Sequence, residues 1–220
     1  MADVSVELQK IYHNWHDGGS EHQKTLMAAF AFLAVGLFIK VGLFPLHAWL
    51  PNAYTYAPSA VSALLSATAT KVGAYITLRF FFTILGAHLA FELIPTGTIL
   101  LIMGSVAVLA GSYFAIRQTN LKRMLAYSSV AQIGYIAMGI GLANETGLTA
   151  GIIHLFNHAV IKGGLFLVLA TFAYHVGKPD LHRLAGMGRK MPFTMAAFTA
   201  GGLALIGVPL TAGFISKWYL

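Results

Sequence analysis

The sequence predicts an all-α integral membrane protein, a polytopic helical bundle of about six transmembrane helices, two of them interrupted. Three observations predict it. Hydrophobic residues fill 57% of the 220 positions and charged residues only 10%, where soluble chains carry roughly 25% charged residues. The apolar residues gather in runs of about 20, the length that crosses roughly 30 Å of hydrocarbon. Within those runs, as at 30–35, polar and apolar residues do not alternate, so the strands of a membrane barrel are excluded. With no water to satisfy open strand edges in lipid, the spans are helices.

Taken in order, residues 1–24 are polar, mix Asp3, Glu7, Asp17 and Glu21 with Lys10 and Lys24, and contain Gly18-Gly19-Ser20. They are expected to form an external tail or loop, too acidic and too long for the basic leader of a signal peptide. Residues 25–220 are expected to form the transmembrane core. The first span, 25–44, ends at Lys40 and runs into Gly42 and Pro45. The second, 57–82, carries Lys71, and the third, 97–116, carries no charge. The fourth, 121–143, opens with Lys122 and Arg123, and the fifth, 148–174, holds His154, His158 and Lys162. A short sixth, 193–208, meets Pro209 and Gly213 and continues into an apolar stub bearing Lys217. Such a stub is expected to continue beyond residue 220.

The formal charge of +7 comes from 14 Lys and Arg against 7 Asp and Glu. In a soluble chain it would raise the question of nucleic acid; here no nucleic-acid partner is expected, and the charges order the loops. The loops at 117–123 and 178–190 hold seven Lys or Arg and one acid, Asp180. The loops after the second and fourth spans hold Glu92 and Glu145 and no Lys or Arg. By the positive-inside pattern the basic loops are cytoplasmic, which reads them as topogenic rather than as lipid-specific sites. Cysteine is absent, which excludes disulfides, thiolate chemistry and cysteine-held clusters.

Five cations fall inside or at the ends of the spans: Lys40, Lys71, Arg79, Lys162 and Lys217. A lysine at mid-span costs roughly 2.5–3.5 kcal/mol even on the lenient insertion scale. Snorkelling from a helix end accounts for Arg79, is one of two readings for Lys40, and does not suit Lys71 or Lys162. All seven acids lie in tails or loops, so a carboxylate partner must come from elsewhere. Burial disfavours the charged form of an unpaired ammonium, which makes such a lysine able to exchange protons. His154, His158 and Lys162 stand at four-residue steps and share one helix face, about 6 Å per step. That stripe suggests a proton path; a zinc site lacks the following Glu and a third ligand, and satisfied core histidines are the other alternative. In the second span Thr68, Lys71 and Tyr75 are expected to share a face, with Ser62 and Ser66 beside them. Each helix break carries a lysine, Lys40 or Lys217, and interrupted helices mark transport sites.

Four blocks then carry a family resemblance: KVGLFPLHAWLPNAYTY at 40–56, APSAVSALLSATATKVGAYITLRF at 57–80, NLKRMLAYSSVAQIG at 120–134 and HLFNHAVIKGGLF at 154–166. With the ending GVPLTAGFISKWYL, they resemble the proton-conducting subunits shared by the respiratory complex I membrane arm and the Mrp-type multisubunit Na+/H+ antiporters. The likeness covers about residues 26–220. It implies a relay of Lys40, Lys71, His154, His158, Lys162 and Lys217. It also implies a broken-helix and access set of Pro45, His47, Trp49, Pro51, Pro209 and Gly213, shaping the breaks, with His47 as an access residue. Asn52 stands where the family usually has Asp. The family's paired glutamate lies on an earlier helix, so the chain is expected to be the central and C-terminal part of the core, with the missing carboxylates supplied by other membrane subunits. The run NAYTYAPSAV and Lys217 look closer to the D-type subunits of the Mrp antiporters than to the complex I subunits. The resemblance therefore implies an ion-translocating subunit exchanging H+ for a monovalent cation, Na+ above others, in a bacterial inner membrane. The proton-pumping subunit of complex I or a related hydrogenase is the first alternative, and a structural assembly subunit the second. No catalytic residue, cofactor or metal is expected in the chain itself.

Overall fold

The computed structural model describes residues 20–220, and every described element is helical. The tail expected at 1–24 lies outside the described residues up to position 19; from Ser20 onward the chain is already helix. The order is α1 (Ser20–Val41), α2 (Trp49–Tyr56), α3 (Ser59–Arg79), α4 (Thr96–Ile116), α5 (Leu121–Gly141) and α6 (Glu145–Val176). Then come α7 (Met187–Lys190), α8 (Pro192–Ile206) and α9 (Ala212–Trp218). Four helices are long and apolar enough to cross a membrane: α3 with its extension to Ile84, α4, α5 and α6. Two shorter apolar helices, Met27–Val41 and Pro192–Ile206, end at the expected breaks. The expected architecture of six spans with two interruptions is therefore present.

Local chemistry sets the ends. Asn120 caps α5 by accepting from the Arg123 backbone N–H at 3.1 Å, and Asn144 caps α6 by accepting from that of Gly147 at 2.7 Å. Pro192 opens α8, where its missing N–H costs nothing. Gly177 and Gly207, at φ 80° and 89°, close α6 and α8 in conformations that Cβ-bearing residues avoid. The 32 residues of α6 make it about 48 Å long, beyond what the hydrocarbon alone requires.

The middle of the bundle is α5, which packs on α2, α4 and α6. Its closest neighbour is α4, through facing glycines: a Cβ on Gly104 would meet the Gly134 carbonyl at 2.7 Å, and one on Gly97 the Gly141 carbonyl at 2.7 Å. Small residues let the two backbones touch, which is how membrane helices associate where apolar burial drives nothing. Around this pair, α6 packs on α3, and α8 and α9 pack on α6.

The loops before α5 and after α6 run side by side at one end. Leu121 N–H donates to Pro179 O and Leu181 N–H to Thr119 O, each at 2.9 Å. The two basic loops thus share one face of the bundle. Lys122, expected as a loop charge, is buried there instead and donates to the Ala57 carbonyl at 3.1 Å. The bend between α2 and α3 at Pro58 puts that carbonyl outside both helices, where the Ser62 hydroxyl donates to it at 3.1 Å and a flexible ammonium on the first turn of α5 reaches it too.

Candidate functional site

His154, His158 and Lys162 all face inward from α6, at 3%, 1% and 0% exposure. The two imidazole rings are near-parallel with centroids 6.3 Å apart. Lys162 reaches across to α5, donating to Leu125 O at 2.7 Å and to Ser128 Oγ at 2.5 Å. Lys71, buried on α3, donates to the carbonyl of Ser66 on its own helix. Its charge acts on both Lys162 and His158. Among the described residues no carboxylate contacts either lysine: the one ion pair, His88 with Glu92, is exposed. Backbone carbonyls and a hydroxyl stand in for the counter-ion.

Further along, His154 joins three helices. Its Nε2 lies 2.9 Å from Gln132 Oε1 on α5, and its Nδ1 lies 2.9 Å from Ser216 Oγ on α9. Tyr135 of α5 meets the His154 ring edge-on at 5.9 Å and carries the Lys217 ammonium 4.8 Å from its own ring centre. Lys217 donates to Leu205 O at 2.9 Å and Ile206 O at 3.1 Å, the carbonyls left open where α8 stops. Lys71, Lys162, His158 and His154 are thus all buried, with Lys217 half-buried beside Tyr135, and neither ring nitrogen of His158 bonds a described group. Both His154 ring nitrogens are engaged in hydrogen bonds within the bundle. Among the described residues no three His, Cys, Asp or Glu side chains gather into a metal-binding group.

Other expected residues fall elsewhere. Lys40 is on the exposed side of the last turn of α1, its stem beside Gly73 of α3. Thr68 and Tyr75 are exposed; the buried arc of α3 is Ser62, Ser66, Thr70 and Thr77, and Lys71 sits at its margin and bends inward. A three- and four-residue spacing put Thr68 and Tyr75 near Lys71 along the helix, but the core lies on the other side of it. Arg79 is exposed at the end of α3, as snorkelling requires.

The residues expected to shape the breaks and give access lie as follows. At the first, Gly42 takes φ 77°, and the Trp49 indole N–H donates at 2.7 Å to the Ile39 carbonyl, which the Gly42 N–H also reaches at 3.1 Å. His47 stacks on Phe44 at 5.0 Å and meets Tyr127 of α5 edge-on at 6.4 Å. Pro45 is exposed and Pro51 buried, its carbonyl accepting from Thr55. At the second break Pro209 is exposed, while Gly213 is buried so tightly under the Ala204 carbonyl that a Cβ would overlap it. Sequence reasoning missed Ser128, Gln132, Tyr135 and Ser216. A signal existed for three of them: positions 128, 132 and 135 form a polar i, i+4, i+7 stripe on an otherwise apolar helix.

Residues 3–220 match the family model described as NADH:quinone oxidoreductase/Mrp antiporter, TM. The chain belongs to this family. Over 220 residues it is 44% identical to NADH-quinone oxidoreductase subunit N of Desulforudis audaxviator, covering 100% of this chain and 42% of that protein. It is 31% identical to the D subunit of the Na(+)/H(+) antiporter of Alkalihalophilus pseudofirmus, again over 100% of this chain and 42% of the relative. Among solved structures, the Mrp complex from Dietzia sp. DQ12-45-1b superposes with a TM-score of 0.83 at 31% identity, over 90% of this chain and 36% of that one. The chain thus spans less than half the length of these NADH:quinone oxidoreductase/Mrp antiporter relatives. Family and fold agree with the resemblance carried by the four sequence blocks. The stronger identity to subunit N leaves the separation of antiporter from complex I subunit open, where NAYTYAPSAV and Lys217 pointed to the antiporter.

Proposed function

We propose that the chain is an ion-translocating membrane subunit, without catalytic chemistry of its own, that relays protons along Lys71, Lys162, His158 and His154 to Lys217. The observation that carries this reading is the gathering of four buried protonatable groups, Lys71, Lys162, His158 and His154, with the half-buried Lys217 beside Tyr135 and no acid among them. A unit charge 8 Å away is worth about 2 kcal/mol at an effective dielectric of 20. Protonation at one station therefore pushes the proton on its neighbour onward. Lys40, on the exposed side of α1, is the station that pairs with a carboxylate supplied by another helix or subunit. His47, beside the first break, is the access residue. The basic loops at 117–123 and 178–190 face the cytoplasm of a bacterial inner membrane.

Two hosts fit the relay. A complex I-type proton pump is favoured by the 44% identity to subunit N, and a Na+/H+ antiporter by the motif run at 52–61 and the Mrp superposition. Mass spectrometry of the solubilised complex separates them: flavin, iron–sulfur and quinone-reducing partners mean the pump, and small membrane partners alone mean the antiporter. The relay itself is tested by Lys71→Ala in the assembled complex. We expect flux to fall about a hundredfold or more, the scale of losing a positioned proton carrier, at unchanged assembly. Wild-type flux per complex with reduced yield would instead make the lysines structural.

A further inference from the structure

Ser216 is wholly buried on α9, and its oxygen has two partners: His154 Nδ1 at 2.9 Å and the Gly213 carbonyl at 3.2 Å. A hydroxyl owns one hydrogen and cannot donate to both. On the far side of the ring, His154 Nε2 faces Gln132 Oε1, an acceptor, and so carries a proton in the neutral imidazole. Nδ1 of neutral His154 is then a lone pair, and the Ser216 hydrogen must point at it. When His154 takes up a second proton, Nδ1–H becomes the donor; Ser216 accepts it and turns its own hydrogen to Gly213 O. Gln132 Oε1 accepts in both states. No heavy atom has to move.

We propose that Ser216 is the positioning residue that keeps His154 hydrogen-bonded in both its charged and neutral forms, by a hydroxyl that reverses between Nδ1 and the Gly213 carbonyl. It rests on the relay reading of the site and adds a residue to it. Its physical role is to hold the two protonation states close in energy, because a buried ring that loses its partner in one state stalls the proton in the other. Gly213 is the carbonyl against which α8 ends, with a Cβ on Gly207 lying 3.4 Å from it. The reversal therefore reports the charge of His154 to the second helix break. The other groups facing His154 are His158 on α6, Gln132 and Tyr135 on α5 and Lys217 on α9.

The test is Ser216→Ala beside Ser216→Thr in the full complex, reconstituted in proteoliposomes and read by proton flux across a series of pH values. Hydrogen bonds to a charged partner are stronger than those to a neutral one, so alanine penalises protonated His154 more. We expect Ser216→Ala to assemble normally and to move the flux–pH curve about one unit toward acid, with Ser216→Thr restoring the wild-type curve. An alanine variant whose flux falls without a shift in the curve would overturn the proposal, as would a threonine variant that assembles and behaves like alanine. Lys162→Ala is run alongside. If it too keeps wild-type flux, the relay reading fails; if it abolishes flux while Ser216→Ala keeps the wild-type curve, only the role of Ser216 fails.

Discussion

The two helix breaks have the same sequence signature, a lysine beside glycine and proline, and the structure uses that lysine in opposite ways. At the second break Lys217 turns back onto the open end of α8 and donates to Leu205 O and Ile206 O. At the first, the Trp49 indole and the Gly42 N–H take the Ile39 carbonyl, and Lys40 remains on the exposed side of α1 with only its stem packed near Gly73. A cation near a helix C-terminus is favourable at both places. What differs is whether another donor reaches the carbonyls first. Where one does, the lysine stays on the exposed side of its helix; where none does, it is committed to the fold.

Four substitutions at three positions test this contrast. The largest effect is expected for Lys217→Met, which uncaps two carbonyls and removes the last station together: flux about a hundredfold lower and a visibly lower melting temperature of the purified complex. Lys217→Arg, which still donates, should recover the melting temperature. Intermediate is Trp49→Phe, which leaves Ile39 O with the Gly42 N–H alone and should cost about 0.5–1.5 kcal/mol of stability, read as a lower melting midpoint. The smallest structural effect is expected for Lys40→Met: a midpoint changed by no more than about 0.5 kcal/mol, as for an exposed position. Any fall in its flux is then electrostatic in origin. A melting loss for Lys40→Met equal to that for Lys217→Met would erase the difference between the breaks.

Much of the fold was legible because span length and Pro/Gly breaks are local signals. The expected 97–116 coincides with α4, and 121–143 overruns α5 by two residues. The inward face of α6 was legible for the same reason: four-residue spacing needs no knowledge of other helices. What the spacing could not supply is which arc of α3 meets the core. Thr68 and Tyr75 were therefore placed with Lys71, while the packed side carries Ser66 and Thr70. The partners of Lys162 and His154 were equally hidden, because they arrive across 22 to 62 positions of sequence: Gln132 and Ser216 to His154, Ser128 to Lys162. Lys122 read as a loop charge because a lysine at a helix start looks solvated until Ala57, 65 residues earlier, is seen to lie against it.

The glycine seam between α4 and α5 has a mechanical meaning. The two backbones touch at Gly97 with Gly141 and at Gly104 with Gly134, so α5 cannot roll or slide without driving one main chain into the other. That same helix presents Ser128, Gln132 and Tyr135 to Lys162, His154 and Lys217 from a neighbouring stripe. In the proposed relay it is the stator: a fixed post against which protons are handed along. Any movement that accompanies their passage has to come from the side chains or from the short, broken pieces α2 and α9.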